Sequence, residues 1–298
     1  MLLQKVLIGV DFSEPSCAAV RWTASYFAPE AELMLVHSIE VPAELGFFGK
    51  SLPPRDELVA KAREHAERRL TELRDGLPAD RVRTETRVGQ PSEQIAAAAD
   101  EFGADLAVVG EHGHHRGVLG GLGSTAEHLL HRSTVPVLIA RGLPERAPRA
   151  ILVAVDDSDL TPNLLEWARL LSQQFEAQVV GVHVLSHVLY AHVRLVSSRT
   201  KAESVKEKAV KEARKWLEAL LESSGFATGS VSVDVPYGHP SHEILGAAQR
   251  HGADLIVLGS RGEGPIGLTL IGSVARSVVK AGCCPVLVAK VGGLSKSP

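Results

Sequence analysis

Cysteine, excess charge and long apolar runs are all scarce in this chain of 298 residues. Three cysteines, Cys17, Cys283 and Cys284, cannot build a disulfide framework. The adjacent pair Cys283-Cys284 sits at an expected strand start and reads as two small, partly buried side chains. A net charge of −3 argues against nucleic-acid binding by bulk charge. No apolar run approaches the length of a membrane span. The first strand is expected from Lys5, which leaves no room for a signal peptide ahead of it. The composition therefore predicts a protein of the reducing cytoplasm, with neither nucleic acid nor membrane as partner.

The familiar nucleotide signatures are missing as well. A dinucleotide fingerprint needs Gly-x-Gly-x-x-Gly in the first strand-to-helix turn, and that turn here is Asp11-Phe12-Ser13-Glu14-Pro15. Gly49-Lys50-Ser51 has the ending of a P-loop. However, Glu44 stands where the first glycine belongs, and Pro53 and Pro54 follow where the helix should run. The cluster His112-Gly113-His114-His115 lies at the fourth strand and does not make the His-x-x-His loop of a nucleotidyltransferase.

What is present is a signature that occurs twice. Gly110-x-x-Gly113-x9-Gly123-Ser124 in the first half answers to Gly259-x-x-Gly262-x9-Gly272-Ser273 in the second. The rest of the chain repeats with it. Lys5–Asp11 matches Ala150–Asp156, Leu35-Val36-His37 matches Gly181-Val182-His183, and Gly89-Gln90-Pro91-Ser92 matches Gly238-His239-Pro240-Ser241. Gly103-Ala104-Asp105-Leu106 matches Gly252-Ala253-Asp254-Leu255, and Val135–Ala140 matches Cys284–Ala289. The offset grows only from 145 to 149 residues along the chain. A period this long marks a duplicated domain rather than a solenoid. The expected domains are 1–142 and 149–293, joined through the Pro- and charge-rich stretch Arg141–Arg149.

Each half alternates apolar strands with helical patterns. In the first half, strands are expected at Lys5–Val10, Leu33–Ile39, Val82–Val88, Leu106–Gly110 and Val137–Ala140. Helices are expected at Ser16–Phe27, Asp56–Arg74, Ser92–Phe102 and Ser124–Arg132. The second half should repeat this, with its long helix near Lys201–Glu222. Near-continuous apolar strands separated by helices predict an α/β fold: two doubly wound, Rossmann-like domains, each with a parallel sheet covered on both faces. Ligands of such sheets bind beyond the carboxyl ends of the strands, where the winding reverses. Asp11, Asp156, Gly110 and Gly259 are expected there.

The glycine spacing suits a phosphate. Glycines let backbone amides approach a ligand, and the first-turn amides of a helix opening at Ser124 or Ser273 face an anion. The bland alternative is a glycine-rich connection with no ligand. The retention of the spacing in two diverged copies weighs against it. Asp11 and Asp156 can accept from a ribose hydroxyl or an adenine amino group. The alternative is a helix cap, a role that Ser13 and Ser158 serve as well. Glu111, His112, His114 and His115 are metal-capable, but no second ligand group is placed near them by sequence, and no metal site is predicted.

An aspartate after the first strand, Val-His in the second, Gly-x-Pro before the third helix and Gly-x2-Gly-x9-Gly-Ser after the fourth strand together resemble the universal stress protein (UspA-like) family. The likeness spans nearly all of both halves, as in a tandem member of its ATP-binding branch. The resemblance implies a five-stranded parallel sheet of order 3-2-1-4-5 in each half. It also implies association through the last strand, here available between the two halves of one chain, with a homodimer as a further step. It implies ATP, with Mg2+ as an optional companion, and a regulatory role in the stress response. Adenine and ribose contacts fall on Asp11 and Ser38, and on Asp156 and Val184, with Val109 and Leu258 lining the adenosine pocket. Phosphate contacts fall on Gly110, Gly113, Gly123, Ser124 and Thr125, and on Gly259, Gly262, Gly272, Ser273 and Val274.

No P-loop lysine and no motif-placed base supply a hydrolytic apparatus, so catalysis beyond weak ATPase activity is not expected. A metal-dependent nucleotide hydrolase or phosphotransferase using Asp11 or Asp156 is the alternative, and an interaction module without ligand is a third. The copies are unequal. Gly259-Ser260-Arg261-Gly262 places a cation beside the cradle, whereas Gly110-Glu111-His112-Gly113 places an acid there, which is unfavourable for a triphosphate unless it is turned away or bridged by a cation. The second half is therefore expected to bind ATP more tightly. In equilibrium binding, Gly272→Val should remove the larger share of ATP affinity and Gly123→Val the smaller. Equal losses would contradict the expectation.

Overall fold

The computed structural model describes residues 3–41, 53–113, 121–186, 199–227, 229–260 and 271–290. The chain divides into two compact units, one running through Arg146 and the other from Ala147.

In the first unit the elements are β1 (Lys5–Gly9), α1 (Glu14–Trp22), β2 (Glu32–Ile39), α2 (Arg55–Asp75), β3 (Val82–Val88), α3 (Pro91–Phe102), β4 (Leu106–Gly110), α4 (Ser124–Arg132) and β5 (Val137–Ala140). All pairings are parallel and the order is β3-β2-β1-β4-β5. Strands β1, β4 and β5 are almost wholly buried, which explains their unbroken apolar sequences. Outward steps from β1 to β3 and from β4 to β5 run in opposite directions. Right-handed crossovers therefore put α1 and α2 on one face and α3 and α4 on the other. The winding reverses between β1 and β4.

The second unit repeats this with β6 (Ala150–Ala154), α5 (Thr161–Phe175), β7 (Gln178–Val182), β8 (Leu185–Ser186), α6 (Arg199–Ser223), β9 (Val231–Asp234), β10 (Tyr237–Gly238), α7 (Pro240–Arg250), β11 (Leu255–Gly259), α8 (Ser273–Ala281) and β12 (Val286–Ala289). Its sheet order, β9-β7-β6-β11-β12, is the same 3-2-1-4-5. One departure from a plain repeat has a clear cause. The β2·β3 ladder runs unbroken to Ile39 and Val88. Its counterpart stops at Val182 and Asp234 and resumes as the short pair β8·β10. Pro236 stands where the first copy has Arg87, and it has no N–H to give to the ladder.

The shared Gly-Ala-Asp segment acquires a reason. Gly103 and Gly252 have φ of 66° and 59°, the left-handed conformation that stops a helix and favours glycine. Two residues on, Asp105 Oδ2 accepts from the backbone N–H groups of Gln4 and Lys5 at 2.8 and 2.9 Å. Asp254 Oδ2 does the same for Arg149 and Ala150 at 2.8 and 3.2 Å. Each carboxylate clamps the start of the first strand to the start of the fourth. That fixes the register of the two strands whose far ends carry the site. Asp105→Ala or Asp254→Ala should cost about 2 kcal/mol in denaturant unfolding, because two backbone donors lose a charged acceptor. The Asn variants should cost less. A change within error for both Ala variants would rule out the clamp.

Boundary expectations shift in instructive ways. The first helix begins at Glu14 and continues past Trp22 as a π-helical turn over Thr23–Phe27. The first strands end at Gly9 and Ala154, so Asp11 and Asp156 lie two residues beyond the ladder, in the turn itself. The stretch expected as linker is tied down at both ends. Arg141 pairs with Glu111, Trp22 Nε1 donates to the Arg146 carbonyl at 3.2 Å, and Arg149 is held by Asp254. Among the described residues, no helix is long and apolar enough to cross a membrane.

Candidate functional site

The carboxyl ends of β1 and β4 and the head of α4 meet at one point. Gly123, the residue that caps α4, donates its N–H to the Glu111 carbonyl at 2.7 Å. Gly272 makes the same bond to Ser260 at 2.7 Å in the second unit. The long loop is thus pinched shut at its base in both copies, whatever lies in between. The pinch explains the glycines. A Cβ on Gly123 would lie 3.1 Å from His112 Cα, and one on Gly110 would lie 3.2 Å from the backbone of Pro15 and Ser16. A Cβ on Gly113 would collide with Asp11 Oδ2. Each motif glycine of the first copy therefore marks a close approach of backbones or, at Gly113, of backbone to the aspartate. Asp11 and Gly113 are neighbours, as the nucleotide reading requires. Gly262 and the residues from Arg261 to Leu270, with His114 and His115, lie outside the described residues.

The aspartates are oriented by hydroxyls. Asp11 Oδ1 accepts from Ser13 N–H at 3.0 Å and Ser13 Oγ at 2.5 Å. Asp156 Oδ1 accepts from Ser158 Oγ at 2.5 Å and Thr161 Oγ1 at 3.4 Å. Ser13 caps α1 and accepts from Ser16 N–H. Ser158 does not cap α5, which starts three residues later after Leu160, and its hydroxyl serves Asp156 instead. The residues before α4 and α8 are likewise not serines. Gly123 and Gly272 occupy the cap positions, Ser124 and Ser273 are the first helical residues, and the capping glycines have no side chain to give the first-turn amides. Those amides are the anion-binding element that a phosphate would use.

Ser38 donates to the Gly89 carbonyl at 2.8 Å, so its hydrogen is tied to the backbone while its oxygen keeps lone pairs for acceptance. Val184, its counterpart, offers none. Val109 and Leu258 are 4% and 3% exposed, so their side chains belong to the core and only their backbone can line the crevice.

Several neighbours were not singled out from sequence. Phe12, between Asp11 and Ser13, has φ of 64°, a strained conformation for a bulky residue and one that clusters at functional turns. Its ring lies 4.6 Å from that of His37 and 4.5 Å from the Arg69 guanidinium. Arg141, at the exit of β5, pairs with the Glu111 carboxylate, whose other oxygen lies 3.6 Å from His112 Nδ1. The acid that made the first cradle look hostile is therefore bridged by a cation. The signal was present: both copies place a basic residue, Arg141 or Lys290, directly after the last strand.

His37 Nδ1 lies 2.7 Å from the Val10 carbonyl, and His183 Nδ1 lies 2.9 Å from that of Val155. A carbonyl only accepts, so Nδ1 carries the hydrogen and ties β2 to the turn holding the aspartate. Burial lowers the His37 pKa despite that bond and the nearby Asp11. A histidine that resists protonation when folded makes the unfolded state the better proton binder. Stability is then complete above the ordinary imidazole range and falls as pH drops through it. Thermal unfolding from about pH 7 to about pH 5 should show this loss, and His37→Gln should reduce its slope. An unchanged slope would remove His37 as the source.

The comparisons with known proteins agree with this geometry. The model of the universal stress protein family matches residues 3–141 and again 148–290. A universal stress protein of Mycolicibacterium smegmatis is 26% identical over 295 residues, covering 96% of each chain. The universal stress protein YxiE of Bacillus subtilis is 30% identical over 152 residues, which is 47% of this chain and 97% of that one. Among solved structures, a universal stress protein from Archaeoglobus fulgidus covers 97% of this chain and 98% of its own, with a TM-score of 0.66 at 22% identity, a likeness of fold. The chain belongs to the universal stress protein family, as a tandem pair of its domains.

Proposed function

We propose that this tandem member of the universal stress protein family binds an adenine nucleotide in each half, ATP in the second, and that occupancy regulates a partner surface in the stress response. The observation that carries the reading is the meeting, in the first copy, of Asp11 with the glycine loop whose base is pinched against a helix head capped by glycine, and the recurrence of the same backbone bond in the second copy. Asp11 and Asp156 would accept from ribose or adenine, with the Ser38 oxygen as a further acceptor in the first half. The amides of Ser124 and Thr125, and of Ser273 and Val274, would hold phosphate oxygens, and Gly110, Gly113 and Gly123, with Gly259, Gly262 and Gly272, would keep the approach open.

This donor set is one of backbone amides, which fits a phosphate. Among the described residues, no group of three His, Cys, Asp or Glu side chains is placed to hold a metal ion. Mg2+ would enter as the counter-ion of the phosphates. A bound ligand can regulate only through its differential affinity for two conformations.

Nucleotide released from freshly purified, denatured protein and identified by mass spectrometry is expected to be an adenine nucleotide. Asp11→Asn with Asp156→Asn should weaken binding by about tenfold or more, the worth of a charged hydrogen bond. Failure to bind ATP, AMP or a cyclic nucleotide would overturn the reading. Robust multiple turnover with Mg2+ or Mn2+, abolished by the Asn changes, would favour a hydrolase.

A further inference from the structure

Glu111 stands between the first two glycines of the first motif, and Arg141 reaches its carboxylate from outside the motif. Resting on the nucleotide reading above, we propose that this pair makes the first half selective for nucleoside monophosphates and that Glu111 is the residue that turns triphosphates away.

The placement is tight. Glu111 directly follows Gly110, and its own carbonyl receives the Gly123 N–H at the head of α4. Its backbone is thus fixed at the amides that would hold phosphate. Its carboxylate is engaged by Arg141 from the exit of β5, and His112 Nδ1 lies 3.6 Å from the other oxygen. The Arg141 and Glu111 side chains are only 11% and 23% exposed, so water screens them less than surface charges.

Charge then decides the ligand. Arg141 is neutralised by Glu111, and the pair presents no net cation to an incoming phosphate. A monophosphate needs little more than the helix-head amides. Every further phosphate charge meets the Glu111 carboxylate, and the pair itself brings no net cation to offset it. Recruiting Arg141 would require breaking the pair and leaving a partly buried carboxylate alone, a costly exchange. In the second half the same position is Ser260, buried and uncharged, while a basic residue, Lys290, is retained at the position of Arg141. At this position the first half has an acid and the second has none, so the two halves respond to different phosphorylation states of the same nucleoside.

The test uses the full chain with Gly272→Val to silence the second cradle, titrated calorimetrically with AMP and with ATP in the absence of Mg2+. The chain with Glu111 intact should prefer AMP. Adding Glu111→Ser should shift the AMP-to-ATP preference toward ATP by about tenfold, the order expected for removing one charge at this range in a partly screened site. Adding Arg141→Met to that variant should reverse most of the shift, because the gained cation is gone. Glu111→Gln, which keeps hydrogen-bonding capacity toward Arg141, gives the same readout if the serine variant does not fold. A preference unchanged by Glu111→Gln, with binding retained, would overturn the selectivity while leaving the nucleotide reading intact. Absence of binding by the unmodified chain would overturn both.

Discussion

Everything at the candidate site depends on the backbone bond from the residue capping the fourth helix of each unit to the carbonyl just beyond the fourth strand. In the first unit it joins Gly123 to Glu111, and in the second Gly272 to Ser260. Because this bond is local, it closes the loop at its base and leaves the residues in between unconstrained by it. Closure brings the head of α4 against the end of β4. There the crowding of His112 against Gly123, and of Asp11 against Gly113, leaves no space for a side chain. The glycines are required by this packing before any ligand is considered. Their retention in both copies is therefore weaker support for a phosphate than spacing alone implies. The stronger support is what the crowding produces, a hydroxyl-oriented Asp11 held against a loop that closes on a helix head capped by glycine.

A second constraint holds the first in register. Asp105 and Asp254 fasten the beginnings of strands whose ends carry the aspartate and the first motif glycine. Because β1 and β4 pair directly, with Leu7 opposite Ala107, an error at one end would displace the other. His37 and His183 add a cross-tie from the second strand to the same turn. Three polar anchors per unit, one backbone to backbone and two side chain to backbone, thus surround a sheet otherwise buried in aliphatic contacts.

Much of this was legible in the sequence because duplication supplies an internal control. The parallel sheet, its order and the placing of Asp11 and Gly110 at the carboxyl ends of the first and fourth strands followed from apolar runs, crossover handedness and the resemblance to a known family. Ser158 was read as a cap because a serine suits a helix start, but the helix begins three residues later and its hydroxyl serves Asp156 instead. Pro236 was visible, but its effect depends on the partner strand, which a repeat alone does not reveal. Arg141 was read as linker because charge and proline dominate its neighbourhood. Its role depends on Glu111, thirty residues earlier. Phe12 carries no local signal, since a left-handed phenylalanine is stable only where surrounding groups, here His37 and Arg69, hold its ring.

The divergence between copies then has a consistent physical direction. Core positions and strand clamps change little, because a change there would move the sheet. Positions facing the crevice change in polarity or charge: Ser38 against Val184, Glu111 against Ser260. The first copy also converts its acid into half of an ion pair, with the partner drawn from the end of the last strand. An ion pair in a partly buried place is seldom a source of stability, since desolvation offsets much of the attraction. Its retention beside a helix head is better explained by what it does to the local potential. It cancels the cation that would otherwise face an anion, and the second copy has Ser260 in place of that acid. Two copies of one scaffold can thereby keep the same fold and anchors while differing in the charge they accept.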